Sequence, residues 1–322
     1  MRRSRWFRLG GTLVVTALAG GYIVWKIDVR KTLDILGSAD PAWLCLSAFL
    51  MFITVAPMTW RWQRLLAARG IHDSYGWLTR AYFVSYAVGQ VLPTSVGGDA
   101  SRIYETARRH PGQTTPITGS VLLERSLGGA ITLALAGVGF VLAIGRYDIG
   151  AYLWIEALFV VLTLIAGVVF FSRRVRGWLR FAVPLARRVK VEPLARAVYE
   201  GIHGYRYHVG TLLLACGATV IVQSGRIVAI WASGEAVGVH LSIRPYVVLG
   251  PLLFLVMLVP FTVNGLGVRE AFFVSFLGKL HVSADAAFAT GFLFFLMTLL
   301  LSLPGLVVIL WEGARRAPIP DA

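Results

Sequence analysis

Long apolar blocks separated by short basic stretches make up most of the chain. Several blocks approach the ~20 residues that an α-helix needs to cross the hydrocarbon core of a bilayer. Six of them predict full transmembrane helices, at about residues 1–25, 41–60, 117–145, 151–172, 209–232 and 286–311. Each has Trp, Tyr or Arg near at least one end, which is typical of anchoring at the membrane surface. The pattern therefore predicts an all-α polytopic membrane protein.

Two further apolar blocks are predicted to enter the membrane without crossing it. If only the six spans cross, both termini lie on the same side as three basic segments, at 61–70, 101–110 and 173–208. Basic loops are typical of the cytoplasmic side, so we place the termini there. On this count residues 75–93 form a re-entrant arm from the cytoplasm, and 244–280 form a hairpin that enters from the opposite side.

Composition agrees with this topology. Hydrophobic residues make up 57% of the chain and charged residues 15%, against roughly 25% in soluble domains. The net charge of +15 would suit a nucleic-acid partner, but the arginines lie mostly between apolar blocks, so we predict none. Cys45, Cys216 and the histidines match no metal or redox spacing, and no cofactor is predicted. We expect a multi-pass protein of the plasma (inner) membrane.

A ten-residue motif occurs once in each re-entrant block, as "PTSVGGDASR" and "PFTVNGLGVR". The matched residues have a constant offset of 167 (260 − 93), and they are Pro93, Val96, Gly98 and Arg102 against Pro260, Val263, Gly265 and Arg269. Arg61 and Arg226 have nearly the same offset, 165 (226 − 61). Since the two blocks are predicted to enter from opposite sides, the repeat is inverted, as in secondary transporters.

We predict one integral membrane domain over 1–322. It contains repeat 1 at about 41–172, repeat 2 at about 209–312 and a basic cytoplasmic segment at 173–208. In this arrangement the six full helices and the two broken hairpins belong to one inverted-repeat fold.

The two motif copies supply a candidate anion site. In the first, Gly97 and Gly98 are predicted to break the arm, and Asp99 stands where a helix N-cap is expected. In the second, Asn264 and Gly265 offer a similar break. A helix N-terminus suits a phosphate, because its backbone N–H groups are unpaired and its dipole is positive.

Charged side chains near these breaks complete the candidate site. Arg102 and Arg269, about one turn inside each predicted helix, add bidentate contacts to the same anion. Glu124 and Arg125 lie deep in a predicted span, where charges usually face a cavity or a partner. Because adjacent residues on a helix diverge in direction, we expect each to pair with another residue. Glu270 and Arg226 are candidate partners.

A purely structural interpretation of the same residues stays open. The glycines then only shape turns, and Asp99 only caps a helix. The arginines anchor helices at the membrane surface, and Glu124 with Arg125 forms ion pairs inside the bundle.

The motif Gln90-x-x-Pro93-x-x-x-Gly97-Gly98-Asp99-x-x-Arg102 resembles the flippase-like family, as do "LLER" at 122–125 and "NGLGVRE" at 264–270. This family is the transmembrane region of lysylphosphatidylglycerol synthases and their stand-alone relatives. The resemblance covers nearly the whole chain, but Asn264 stands where the family commonly has glycine. By that likeness Gly97, Gly98, Asp99, Arg102, Glu124, Arg125, Gly265, Arg269 and Glu270 fall on family motif positions, as do Pro93 and Gly267. Together with the residue arguments above, this predicts substrate binding by those nine residues and by Asn264.

In the synthases this region is associated with moving the modified phospholipid between leaflets, while a separate soluble domain performs aminoacyl transfer. Relatives accompany hopanoid or polyprenyl-lipid pathways. The chain ends at Ala322, soon after the last span, so we expect no such soluble domain here.

The resemblance therefore implies a membrane lipid translocase, or a lipid-transport accessory, for an anionic phospholipid or a polyprenyl or hopanoid lipid. We expect a transporter rather than an enzyme, with membrane lipids as partners. Two alternatives stay open. One is an intramembrane enzyme acting on a lipid-linked phosphate, with Asp99 or Glu124 as general base. The other is a scaffold for a lipid-synthesis enzyme, docked through 173–208.

Overall fold

The computed structural model describes residues 28–91, 97–143, 207–258 and 267–316, together with Gly204, Tyr205 and isolated positions between 150 and 161. Regular structure in this part of the chain is entirely helical, which confirms the predicted all-α class. The helices, numbered here in chain order, are α1 (Val29–Gly37), α2 (Pro41–Ile53), α3 (Val55–Ala67), α4 (Tyr75–Val91), α5 (Gly97–Arg109), α6 (Thr114–Ala143), α7 (Val209–Ala236), α8 (Arg244–Leu258), α9 (Val268–Gly278) and α10 (Ala284–Arg316).

Four stretches of the described residues are long and apolar enough to cross a membrane, which supports a multi-pass membrane protein. They are Pro41–Ala67, Thr114–Leu142, Val209–Ala236 and Ala284–Gly313, and they match four of the six predicted spans. The other two predictions, 1–25 and most of 151–172, lie outside the described residues. The first stretch consists of α2 and α3, which join at Thr54 with its N–H still bonded to the Leu50 carbonyl at 3.2 Å.

Two pairs of shorter helices follow the first and third of these spans. α4 and α8 have 17 and 15 residues, fewer than the ~20 that a perpendicular crossing needs. α4 is described as far as Val91, two residues before Pro93. α5 packs back against α4, and α9 against α8. The turns at 92–96 and 259–266 lie outside the described residues.

The first and third spans pack against each other in antiparallel orientation. The Asp40 N–H donates to the Ala236 carbonyl at 2.8 Å at one end. At the other end, Arg61 Nη1 donates to Thr219 Oγ1 at 2.6 Å. Between them, Ser47 Oγ donates to the Ala229 carbonyl at 2.9 Å. These spans occupy corresponding places in the two predicted repeats, so their antiparallel packing is the arrangement that an inverted repeat requires.

The first helix of each hairpin, α4 or α8, packs on the span that follows the hairpin of the other half. Gly305 of α10 lies so close to the Phe83 carbonyl of α4 that a Cβ would overlap it. Gly139 of α6 lies against α8 in the same way, and a Cβ there would stand 2.9 Å from the Val247 carbonyl oxygen. The two glycines are 166 residues apart (305 − 139), close to the motif offset. Small residues at such contacts let helix backbones approach closely in membranes.

Each hairpin thus packs on a span of the other half, and this exchange of hairpins between two similar halves agrees with the repeated motif. The repeat boundaries at about 41–172 and 209–312 stay a prediction, because most of 144–206 lies outside the described residues. The same holds for the basic segment at 173–208.

Candidate functional site

A buried carboxylate on α6, Glu124, forms the centre of a charged cluster inside the helix bundle. Its Oε1 accepts hydrogen bonds from Arg61 Nε at 3.1 Å, from Arg61 Nη2 and from the Tyr82 hydroxyl. Its Oε2 accepts from Arg102 Nη1 at 2.6 Å. Glu124, Arg61 and Arg102 are 3%, 5% and 3% exposed. Charges so well shielded are stable only when they are paired and hydrogen-bonded.

Five helices contribute to this cluster, with Arg61 on α3, Tyr82 on α4, Arg102 on α5, Glu124 on α6 and Thr219 on α7. The Arg102 guanidinium lies over the rings of Trp62 and Tyr82, at 4.8 and 4.7 Å from their centroids. Such cation–π contacts strengthen when they are shielded from water. The cluster therefore fixes the hairpin α4–α5 to the spans on either side of it.

Asp99 extends the cluster towards the surface. Its Oδ1 accepts from Arg102 Nε at 3.0 Å and its Oδ2 accepts from Arg125 Nε. The side chains of Asp99 and Arg125 are 13% and 40% exposed, against 4% for Arg102. A row of charges thus leads from the exposed Arg125 to the buried Arg102. Among the described side chains, Arg61, Arg102 and Arg125 thus surround the carboxylates of Asp99 and Glu124.

The predicted N-cap role of Asp99 was wrong. Gly97 and Gly98 already belong to α5, and Asp99 is the third described residue of that helix. A carboxylate in the first turn is still favoured by the helix dipole. Gly98 serves a close contact, because a Cβ there would stand 2.9 Å from Ser85 Oγ and closer still to the Ser85 carbonyl. Gly98 therefore lets α5 approach α4 closely.

The second hairpin holds a separate ion pair. Arg269 donates to Glu270 Oε1 from Nε at 2.9 Å and from Nη2 at 2.6 Å, and its guanidinium lies 4.3 Å from the centroid of the Phe295 ring. Glu270 Oε2 accepts from the N–H of Gly267 at 2.7 Å and so closes the N-terminus of α9. Gly267 has φ +83°, a backbone angle that favours glycine.

The expectation that Arg102 and Arg269 hold one anion together stays a prediction. In the described structure Arg102 is bonded to Asp99 and Glu124, whereas Arg269 is bonded to Glu270. Each guanidinium thus has its own carboxylate partners.

Glu124 and Arg125 pair with other residues rather than with each other, as predicted. However, the suggested partners were wrong. Glu124 binds Arg61 and Arg102, whereas Glu270 binds Arg269 and Arg226 donates to the Tyr86 hydroxyl.

Sequence reasoning missed Arg61, Tyr82 and Thr219 as parts of the cluster. The predicted span at 41–60 ended before Arg61, which left this arginine in a cytoplasmic loop, but in the structure the span continues to Ala67. The sequence signal that could have revealed Arg61 is an arginine within one long apolar span.

Two of the predicted site residues, Asn264 and Gly265, lie outside the described residues. In the part of the chain that the structure describes, no three His, Cys, Asp or Glu side chains cluster in a way that would hold a metal.

Helical spans, exchanged hairpins and an internal charged cluster define an integral membrane domain of the polytopic helical class. The chain belongs to the family of the lysylphosphatidylglycerol synthase TM region, whose model matches residues 9–305. This confirms the resemblance that the motifs indicated. The chain is also similar to Glycosyltransferase AglD of Haloferax volcanii, with 28% identity over 135 residues. That match covers 39% of this chain and only 22% of the length of the relative.

Proposed function

We propose that this protein moves an anionic lipid between membrane leaflets, or assists that movement, and that Arg102 and Arg125 bind the phosphate of the lipid headgroup. The proposal rests on the position of Asp99. Its carboxylate lies between the two guanidinium groups, one buried and one partly exposed. Guanidinium groups bind carboxylates and phosphates with the same fork geometry, so a phosphate is chemically suited to replace Asp99 there.

The surrounding contacts support an exchange of anions at this position. Arg102 keeps its second partner, Glu124, when Asp99 is displaced, so the buried guanidinium is never left without a carboxylate. Arg125 is exposed enough to meet a headgroup first.

The expected setting follows from the topology. We place the protein in the plasma membrane with both termini in the cytoplasm, and its lipid is a phospholipid or a polyprenyl- or hopanoid-type lipid. These assignments are part of the proposal and rest on the charge distribution and the family membership.

We expect Arg125→Gln to slow lipid exchange about tenfold or more, because it removes a charge-assisted hydrogen bond to the phosphate. Arg125 is suited to this test since its side chain is 40% exposed and its loss leaves the buried pairs intact. The measurement is the rate at which fluorescently labelled phosphatidylglycerol becomes accessible to a membrane-impermeant quencher in vesicles that contain the full chain.

Arg108→Gln provides the control, since Arg108 is an exposed arginine on α5 outside the cluster. Vesicles that contain Arg108→Gln should exchange lipid at the same rate as vesicles that contain the unaltered protein. Equal rates for Arg125→Gln and Arg108→Gln would contradict the assignment of the phosphate site. No exchange by the unaltered protein under any lipid composition would contradict the translocase proposal.

A scaffold for a lipid-linked synthesis enzyme is the second candidate, and the similarity to a protein named as a glycosyltransferase favours it. In that case the basic segment 173–208 is the docking surface. Neutralising its arginines should then abolish co-purification with the enzyme and stop lipid synthesis in cells, whereas Arg125→Gln should leave both unchanged.

A further inference from the structure

Arg226, on α7, is a cation inside the membrane-spanning bundle whose partners among the described residues are neutral. Its Nη2 donates to the Tyr86 hydroxyl at 3.0 Å and approaches Met58 Sδ at 3.7 Å. Its Nε is buried and has no hydrogen-bond partner in that part of the chain. No carboxylate of the described residues pairs with Arg226.

Comparison with Arg61 shows how unusual this environment is. The two arginines correspond in the sequence repeat, and both lie in long apolar spans. Arg61 is neutralised by Glu124, as burial of a guanidinium requires. Arg226 has no such counter-ion in the described structure, although it lies ten residues, or about 15 Å, from the end of α7 at Ala236. A charged side chain at that depth is costly and usually marks a path for a polar substrate.

A polar stripe connects Arg226 to the cluster around Glu124. Thr219, which binds Arg61, lies seven residues before Arg226 on α7. Seven residues are close to two helical turns, so the two side chains share a face and are separated by about 10 Å. Gln223 lies between them on the same face and donates to Thr132 Oγ1 of α6. The stripe Thr219–Gln223–Arg226 therefore crosses the middle of α7, since Thr219 and Arg226 each lie ten residues from one end of that helix.

We propose that Arg226 is a second binding site for a phosphate group, reached along this stripe. The inference deepens the proposed function and rests on it for the identity of the ligand as a lipid headgroup. Arg226 lies about 10 Å along α7 from Thr219, which is bonded to Arg61 of the charged cluster. Its partly exposed side chain and unpartnered Nε provide donors that no carboxylate of the described residues occupies.

The test compares Arg226→Gln with Arg64→Gln, an exposed arginine of the neighbouring span, in the purified full chain. Lipid binding is measured by native mass spectrometry with phosphatidylglycerol and, as a probe without phosphate, diacylglycerol. We expect Arg226→Gln to weaken phosphatidylglycerol binding about tenfold and to leave diacylglycerol binding unchanged. Arg64→Gln should bind both lipids as the unaltered protein does.

Thermal stability separates a binding role from a structural one. Arg226→Gln removes an uncompensated charge, so its melting temperature should stay equal or rise. A lower melting temperature, or unchanged phosphatidylglycerol binding, overturns the proposal. Gln223→Glu gives a second variant, because a carboxylate one turn from Arg226 supplies the missing counter-ion and should also weaken phosphatidylglycerol binding.

Two further measurements distinguish a lipid headgroup from free phosphate, and the Arg226 site from the translocase proposal. If inorganic phosphate competes as strongly as phosphatidylglycerol, the site binds a free anion and the lipid assignment is overturned. If binding depends on Arg226 but the unaltered protein exchanges no lipid between leaflets, the translocase proposal fails while the Arg226 phosphate site stands.

Discussion

Glu124→Gln is expected to destabilise the folded protein by about 3–5 kcal/mol, the usual effect of removing one partner from a buried ion pair. The amide cannot neutralise Arg61 and Arg102, which both donate to Glu124 in the folded protein. Two shielded guanidinium groups would then face each other without a shared carboxylate. The measurement is the melting temperature of the detergent-solubilised protein, together with the fraction that remains monodisperse.

Glu312→Gln is the control, because it makes the same chemical change in an ion pair that is more exposed. Glu312 pairs with Arg80, but their side chains are 34% and 25% exposed. Exposed ion pairs contribute about 0–1 kcal/mol, so this variant should melt within a few degrees of the unaltered protein. If Glu124→Gln melts at the same temperature as Glu312→Gln, the buried cluster does not hold the hairpin in the bundle.

Gly305→Val should have the second largest effect, because it pushes the hairpin away from the opposite half. Even a Cβ at Gly305 overlaps the Phe83 carbonyl, which belongs to helix backbone and cannot rotate aside. Overpacking of this kind destabilises by about 1–3 kcal/mol or more. The displaced α4 also carries Tyr82, which donates to Glu124, so lipid exchange should fall together with the melting temperature.

Gly313→Val on the same helix is the control, since nothing lies within 4 Å of a Cβ at that position. It should leave melting and exchange almost unchanged. Gly139→Val tests the corresponding contact in the other half, with Gly137→Val as its control, because only the former meets a backbone carbonyl. An equal melting temperature for Gly305→Val and Gly313→Val would contradict the close packing of α4 on α10.

Hydropathy was sufficient to predict the four long helical spans of the described residues, since each depends on local composition. That the blocks at 75–93 and 244–280 enter the membrane without crossing it stays a prediction. The motif offset also predicted which elements correspond. The span boundaries were less accurate. Arg61 was assigned to a loop because a charged residue ends an apolar run, whereas the folded protein buries it by supplying Glu124 from α6.

The pairing within the candidate site was not predictable from the sequence alone. Asp99, Arg102 and Glu124 were each identified, but their partners depend on how α5 packs between α4 and α6. Gly98 was interpreted as part of a break, although it lies inside α5 and permits contact with Ser85. Likewise, the motif placed Arg102 and Arg269 at corresponding positions without indicating that they pair with different carboxylates.

The affinity of Asp99→Asn for phosphatidylglycerol tests most directly whether Asp99 occupies the phosphate position. If the carboxylate competes with the lipid for Arg102 and Arg125, removing its charge weakens the hold of residue 99 on both guanidinium groups. Binding should then strengthen about tenfold, whereas Arg125→Gln weakens it. Binding by Asp99→Asn that is equal to or weaker than that of the unaltered protein would contradict the account, because Asp99 would then be a structural partner only.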